Sequence, residues 1–353
     1  MVNNVEKEKK VVVGMSGGVD SSAVAAILKQ KGYTVYGLTL VTSDAADTAD
    51  ARLVAENLGI SYATLDVRKA FQEQIKARFV ESYLRAETPN PCLLCNPLIK
   101  WRYMLSYADD IGADFVATGH YAEKVLLPSG RVSLRRRGKK DQSYALYALG
   151  QEALQRTLFP LAGLEKDAVR RIAAEAGLSV AEKADSQDIC FVPDGDYAGF
   201  IKRACGSLGK EGHFVSPEGT VYGPHKGIVN YTVGQRKGLG IALGRPVFVT
   251  EISPQSGDVV LGTKEQLLTH SVRAKAVNFM AEKEVDKDLR LFGKVRYNHK
   301  GGMATVRISR AGIITAVFDE PVSACPGQTL VLYENEAIYG GGTIIRGGET
   351  GDH

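Results

Sequence analysis

The stretch Val11–Ser22, VVVGMSGGVDSS, decides the fold. Three successive β-branched residues, Val11, Val12 and Val13, call for a buried strand. Ser16, Gly17 and Gly18 then make a tight turn, and Ala23–Gln30 has helical spacing and composition. A strand, a glycine-rich turn and a helix start form an anion site. Backbone N–H groups converge there, the glycines permit close approach, and the helix N-terminus is partly positive. Ser16, Ser21 and Ser22 add hydroxyl donors. Asp20 stands among them, and a carboxylate beside phosphates points to Mg²⁺. No GK[ST] follows the glycines and their spacing is not GxGxxG, which excludes a Walker loop and a dinucleotide fingerprint.

SGGVDS, Ser16–Ser21, is similar to the pyrophosphatase loop of enzymes that use ATP to adenylate an oxygen and release pyrophosphate. The chain around it is ordinary globular protein. Its 353 residues favour two or three domains, and 44% hydrophobic with 24% charged residues supplies ample core. No apolar run approaches a membrane span, and the first ten residues, MVNNVEKEKK, lack a signal-peptide apolar region. A cytoplasmic protein with no membrane partner is expected. A net charge of +4 is weak evidence for nucleic acid by itself. Five cysteines, an odd number, argue against a disulfide framework.

Strand and helix patterns alternate through the first half. Thr34–Val41, Tyr62–Leu65 and Phe115–Thr118 read as strands; 46–58, 71–85 and 164–177 read as helices. Such alternation implies a parallel sheet with helices on both faces, whose ligands sit at the carboxyl ends of the strands. Asp20, Leu40 and Gly119 should share that edge. Past about residue 200 glycines become frequent, which suits a small mixed domain. From about Ser271, period-two segments such as Leu291–Tyr297, Met303–Ile308, Ile313–Phe318 and Leu330–Tyr333 suggest a β-barrel. The expected fold is therefore α/β plus β. Residues 1–200 form an ATP-pyrophosphatase (adenine nucleotide alpha-hydrolase-like) domain, 201–270 a small central domain, and 271–353 a C-terminal β-barrel.

Cys92 and Cys95 lie in TPNPCLLCN, and Cys190 in DSQDICF. A lone CxxC is ambiguous between half a zinc site, a redox pair and part of a cluster site. No second CxxC or close HxxxH completes a zinc set. Pro89, Pro91 and Pro97 should keep the segment extended, so that a loop presents the thiols. Lys100 and Arg102 lie near enough in sequence to favour a thiolate. Cys205 and Cys325 read as structural. The densest charge on the chain, Arg135–Lys140 (RRRGKK), runs into Asp141, Gln142, Ser143 and Tyr144, polar and aromatic groups suited to RNA. Arg296-Tyr297, on an expected barrel strand, offers a similar pair. His120, at a strand end, is a candidate base or substrate contact.

Together these segments resemble the tRNA-specific 2-thiouridylase family, bacterial enzymes that place sulfur on the wobble uridine. The match includes GMSGGVDSS (Gly14–Ser22), TPNPCLLCN (Thr88–Asn96), ATGHYA (Ala117–Ala122) and KDQSY (Lys140–Tyr144). It continues through DSQDICF (Asp185–Phe191), YTVGQRKGLG (Tyr231–Gly240) and VRY (Val295–Tyr297). The resemblance implies that Gly14, Met15, Ser16, Gly17, Gly18, Val19, Asp20 and Ser21 hold ATP, with Mg²⁺ on Asp20 and the adenosine on Leu40 and Gly119. It implies adenylation of the uridine C2 oxygen, then sulfur transfer from a Cys190 persulfide with Cys95 as nucleophile and a transient Cys95–Cys190 disulfide. Asn90, Pro91 and Cys92 would touch the target base. His120, Lys140, Asp141, Gln142, Arg296, Tyr297 and Gln328 would touch the tRNA. A persulfide-donating sulfur-relay protein would supply sulfur to a monomeric enzyme.

Two departures matter. Some members carry Asp where Cys92 stands. A thiol there completes a set of three, Cys92, Cys95 and Cys190, which could hold a [4Fe–4S] cluster whose open iron delivers hydrosulfide. Persulfide relay and cluster delivery therefore compete, with relay the favoured reading. The segment after Leu40, VTSDAADTADARL, is shorter and more polar than the family's Trp- and Cys-containing stretch. An amidating ligase of the GMP synthetase type and a catalytically inactive tRNA-binding protein are the rival classes.

Overall fold

A computed structural model describes residues 9–183, 189–283, 288–309 and 311–347. The chain divides into two compact units: Met1–Gln74 with Leu93–Gln187 and Glu336–Ile338, and Ile75–Cys92 with Asp188–Asn335 and Tyr339–His353. Among the described residues no helix is long and apolar enough to cross a membrane.

The first unit is built on strands β1 (Lys10–Gly14), β2 (Thr34–Val41), β3 (Ser61–Asp66) and β4 (Phe115–Ala117). A hairpin follows, β5 (Glu123–Leu126) with β6 (Val132–Arg135), and then the short β7 (Thr157–Leu158). The parallel sheet has the order β3-β2-β1-β4-β7. Val11, Val12 and Val13 are wholly buried in its centre. Helices α1 (Val19–Gln30) and α2 (Ala49–Leu58) follow β1 and β2. Gly59, in the left-handed conformation at φ 59°, ends α2 as a Gly C-cap does. The expected helix over 71–85 is broken in three: α3 (Arg68–Phe71), a π-turn over Gln72–Lys76, and α4 (Ala77–Leu84). Further along are α5 (Pro91–Cys95), α6 (Arg102–Asp110), α7 (Gln151–Arg156) and α8 (Lys166–Glu175). Val169 and Ala173 of α8 are buried in one apolar cluster with Val24, Ala25 and Leu28 of α1. The β5–β6 hairpin was not legible in sequence. It lies beside the charged run, where period-two alternation is weak.

In the second unit, α9 (Tyr197–Cys205) joins α4 through Phe79, Val80, Tyr83 and Ile201. A four-stranded sheet of order β10-β11-β8-β9 follows, with β8 Gly212–Val215, β9 Val221–His225, β10 Phe248–Ile252 and β11 Val259–Gly262. The remaining strands are β12 (Thr269–Phe279), β13 (Leu289–Lys294), β14 (Gly302–Ile308), β15 (Ile314–Val322), β16 (Thr329–Glu334) and β17 (Ala337–Ile344). They run in the order β12-β15-β14-β13-β16-β17, and β12 pairs with β17 to close the barrel. Closure leaves no free sheet edge. Gly293 and Phe318 fit as small against large, since a Cβ on Gly293 would lie 2.8 Å from the Phe318 ring. One expectation fails here. Arg296 and Tyr297 lie past the end of β13, not on it, because β14 begins at Gly302 opposite Gly293 and offers no partner further on.

His225 is buried at the end of β9, an edge strand of the small sheet, against Phe214 and Tyr231. Its Nε2 lies 2.7 Å from the Gly257 carbonyl, and the Gly227 N–H donates to its Nδ1 at 3.2 Å. These partners assign the neutral ring with its proton on Nε2. Burial is the main cause holding its pKa below the usual 6.5. The unfolded chain therefore takes up a proton first as pH falls. The stabilisation is complete above about pH 6.5 and declines as pH drops toward the lower folded value. Denaturant titrations at pH 7.5 and 5.5 should show a loss of stability that is smaller in His225→Asn; equal losses would contradict this assignment.

Candidate active site

The Met15 N–H donates to the Leu38 carbonyl at 2.8 Å, carrying the β1–β2 ladder one step beyond the strand. The Thr39 hydroxyl donates to the Met15 carbonyl at 2.7 Å and accepts from the Tyr62 hydroxyl at 2.8 Å. The chain then leaves the sheet through Gly17, at φ +70°, a conformation that favours glycine. Gly18 is extended and α1 starts at Val19 with no side-chain cap on its N–H groups. The serines that could cap it turn elsewhere. Ser21 Oγ and Ser22 Oγ donate to the Gly18 carbonyl at 3.1 and 2.9 Å, and the Ser16 N–H donates to Ser21 Oγ at 3.2 Å. The first turn of α1 therefore keeps backbone donors for an outside anion.

Because β2, β1 and β4 are adjacent and parallel, the residues at their carboxyl ends meet on one edge. Leu40 sits near the end of β2, opposite Leu65 of β3. Gly119 follows β4 and presses on α1. A Cβ there would lie 2.9 Å from Ser21 N and 3.0 Å from Asp20 Cβ. Asp20 Oδ1 accepts from Tyr121 Oη at 2.7 Å and from Lys166 Nζ at 2.8 Å. Lys183 Nζ reaches Asp50 at 2.5 Å and the Gly17 carbonyl at 3.4 Å. Among the described residues no group of three or more His, Cys, Asp and Glu could hold a metal. A lone carboxylate suits Mg²⁺ carried mainly by the phosphates of a nucleotide rather than by a protein cage.

Tyr121, Lys166 and Lys183 were not singled out in the sequence. Tyr121 could have been, since it follows Gly119-His120 in ATGHYA; the two lysines stand in no short motif. Tyr121 is also tied to the KDQSY segment. Its N–H donates to Gln142 Oε1 at 3.0 Å, its carbonyl accepts from the Gln142 N–H at 2.8 Å, and Lys140 Nζ lies 5.9 Å from its ring centre. Asp141 accepts from the Ser143 N–H and hydroxyl at 3.3 and 2.9 Å. His120 Nδ1 is 2.9 Å from Thr118 Oγ1, and its ring centre is 5.6 Å from that of Trp101. Burial first, and the Lys100 ammonium second, push its pKa down to about 3. The ring is neutral near pH 7 and poorly suited to take a proton there, which favours contact over base catalysis.

The cysteine segment corrects the sequence reading. Cys92 and Cys95 stand on helix α5, not on an extended loop. Pro91 opens that helix, where its missing N–H is harmless and its fixed φ is suitable. Asn90 Oδ1 accepts from the Cys92 N–H at 3.1 Å, in the manner of a cap. Pro97 does fall inside the helix. It cannot donate to the Leu93 carbonyl, and the chain widens to a π-turn over Asn96–Trp101 before α6. Asn96, buried beside Cys95, donates Nδ2 to the Ala145 carbonyl at 2.8 Å. Cys92 is exposed and Cys95 half-buried.

Cys190 is exposed between Ile189 and Phe191, both packed against the Phe79 cluster of the second unit. Of the motif Asp185–Phe191, positions 185–188 lie outside the described residues. Cys325 is buried, and burial pushes its thiol pKa up, as suits a structural cysteine. Cys205 ends α9 and is exposed. Gln328 donates Nε2 to the Thr88 carbonyl at 2.6 Å, and the Thr88 N–H donates to the Pro326 carbonyl at 2.8 Å. Its amide therefore holds the segment that leads to Asn90. Arg296 Nη1 is 3.5 Å from the Ser323 carbonyl, and Tyr297 is exposed with Lys294 Nζ 5.8 Å from its ring centre.

A parallel sheet ending in an uncapped helix start, with a carboxylate beside it and a glycine pressed on its first turn, defines an α/β domain of the ATP-pyrophosphatase class. Here it is followed in the chain by a small sheet and a closed barrel. Three family models match in succession: a tRNA methyl transferase HUP domain over residues 9–194, a tRNA methyl transferase PRC-barrel domain over 198–263, and an aminomethyltransferase beta-barrel domain over 269–344. The tRNA-specific 2-thiouridylase MnmA of Lachnoclostridium phytofermentans is 45% identical over 356 residues, covering 96% of this chain and 100% of that one. That of Clostridioides difficile is 44% identical, covering 95% and 98%. The chain belongs to the tRNA-specific 2-thiouridylase family.

The close approach at Gly119 gives a test. Gly119→Ala would thrust a methyl group against the Ser21 N–H, at the first turn of α1. ATP affinity measured by calorimetry should fall at least about tenfold, or about 1.4 kcal/mol, and the melting temperature should fall as well, because the methyl group meets backbone atoms of α1. Unaltered ATP affinity would place the nucleotide elsewhere.

Proposed function

We propose that this protein catalyses the ATP-dependent 2-thiolation of a tRNA uridine, at the wobble position. The observation that carries the reading is the uncapped start of α1, with Asp20 at its first turn and Gly119 against it, in a chain of this family. Gly14 to Ser21 bind the triphosphate, and Leu40 and Gly119 the adenosine. Asp20, together with the phosphates, would hold Mg²⁺, which would neutralise part of the triphosphate charge.

The uridine C2 oxygen attacks the α-phosphorus. The α–β P–O bond breaks and pyrophosphate leaves with its electron pair. N3 gives its proton to solvent, so that a C2=N3 bond forms in the adenylated base. AMP is a far better leaving group than hydroxide, and C2 becomes open to sulfur. Cys190 carries the sulfur as a persulfide received from a sulfur-relay protein. The Cys95 thiolate attacks the Cys190 Sγ and releases hydrosulfide, which adds to C2 as AMP departs. Alternatively the terminal sulfur adds to C2 first and Cys95 then frees the product. Either route ends in a Cys95–Cys190 disulfide, which an external thiol must reduce before the next turnover. Asn90, Pro91 and Cys92 contact the target base. Lys140, Asp141, Gln142, His120, Arg296, Tyr297 and Gln328 contact the tRNA, some directly and some, as Gln328 does for Thr88, by holding a neighbour. The exposure of Cys190 supports the reading, since a donor protein must reach that sulfur.

The test is 2-thiouridine formation on unmodified tRNA by iron-free protein given ATP, Mg²⁺ and a persulfide donor. Asp20→Ala should slow pyrophosphate release at least about 100-fold, the scale of a lost electrostatic partner in a transition state. Cys190→Ser should release pyrophosphate normally and make no thiouridine. Normal thiolation by Cys190→Ser would refute the relay, and product only after cluster reconstitution would favour iron-bound sulfur.

A further inference from the structure

Tyr121 lies 101 positions along the chain from Asp20 and 21 from Gln142, and it is bonded to both. It is 5% exposed and packs in one apolar cluster with Val19 of α1 and Val169 of α8. At one end its hydroxyl donates to Asp20 Oδ1 at 2.7 Å, the oxygen that also accepts from Lys166 Nζ. Both bonds fall on Oδ1, so the groups that hold Oδ1 set the direction in which Oδ2 would meet Mg²⁺. At the other end the main chain of Tyr121 is clamped to Gln142. The Tyr121 N–H donates to Gln142 Oε1 at 3.0 Å, and the Gln142 N–H donates to the Tyr121 carbonyl at 2.8 Å. Side chain and main chain of Gln142 thus grip the same residue. A tyrosine has only two side-chain torsions, and close packing holds a buried ring in both. Whatever fixes the main chain at Gln142 therefore fixes the hydroxyl at Asp20.

We infer that Tyr121 is a positioning residue that links two sites: RNA held at Lys140–Gln142 steadies Asp20, so that RNA and ATP each tighten the binding of the other. The inference rests on the functional reading above, which places RNA at Lys140–Gln142 and the triphosphate at Asp20. The link works through the cost of ordering. Gln142 follows the run Arg135–Lys140, which is largely exposed. Exposed segments give up much freedom when a ligand holds them. Once RNA has immobilised Gln142, Tyr121 and Asp20 have less freedom left to lose when Mg·ATP binds. The reverse order of binding gives the same gain, as linkage requires. A phenylalanine at 121 keeps the ring and the Gln142 clamp but breaks the link at its last bond, the one to Asp20. Such coupling favours a well-held triphosphate when a uridine is present to attack it.

The experiment measures the affinity of wild type and Tyr121→Phe for the α,β-methylene analogue of ATP with Mg²⁺, without and with saturating unmodified tRNA. The analogue cannot release pyrophosphate, so binding alone is read. In wild type, tRNA should raise the affinity about tenfold, inside the usual range for coupled sites. In Tyr121→Phe that ratio should fall to within about twofold of one, even where both affinities are weaker. A hydroxyl that only supports Asp20 would weaken both affinities by the same factor and leave the ratio as in wild type, which overturns the inference. A wild-type ratio of one overturns it as well. Hydrogen exchange supplies a readout that needs no variant. The analogue alone, without RNA, should slow amide exchange in wild-type peptides that contain Gln142, and unchanged exchange there overturns the link. Coupling that depends on Tyr121, in a wild-type protein that makes no thiouridine, would uphold the link and overturn the functional reading.

Discussion

The contact on which this site depends is the approach of Gly119 to the first turn of α1. Two neighbouring parallel strands end side by side, and the residue after one must lie against the helix that follows the other. Only a residue without a Cβ leaves the Ser21 N–H in place. The turn can then keep its backbone donors pointed outward, because no serine caps them and no side chain fills the gap. Asp20, Tyr121 and Lys166 take their positions from that same edge. Their chemistry is therefore a result of sheet order before it is a result of motif.

Much of this was legible in the sequence, for identifiable reasons. Val11–Ser22 combines a β-branched run, glycines and a helix start, and each part has a strong local preference. Leu40 and Gly119 could be set on one edge because parallel β/α alternation has few topologies. The barrel showed as period-two segments. Tyr121 and Lys166 were harder, because their meaning lies in a contact with Asp20 across 101 and 146 positions, which no local pattern encodes. The β13 boundary failed for a related reason. Arg296 and Tyr297 continue the strand pattern, but the partner strand stops short.

The cysteine segment shows where a sound rule was applied at the wrong position. Proline disfavours a helix interior, yet Pro91 sits at the first helical residue, where it is well tolerated, and Asn90 supplies the cap. Pro97 does act as expected, and the outcome is a wider turn rather than an end to the helix. Cys95 stands one residue before that turn, on a rigid element with buried Asn96 beside it. A thiol on such an element is held more exactingly than one on a loop would be.

The bond between Gln328 and Thr88 spans 240 residues, and Gly327 approaches Thr88 too closely for any other side chain. Its consequence concerns the birth of the protein on the ribosome. Thr88 emerges long before the stretch that will hold it. At roughly 5–20 residues per second, the delay is roughly ten to fifty seconds. Throughout that interval the approach to the cysteine helix has no anchor, although β1 and α1 have already been made and β4 soon follows. The nucleotide edge can therefore form while the nascent chain is still growing. The segment leading to Asn90 reaches its final tether only when synthesis is nearly complete, so a polypeptide released early would keep the loop for ATP without that tether.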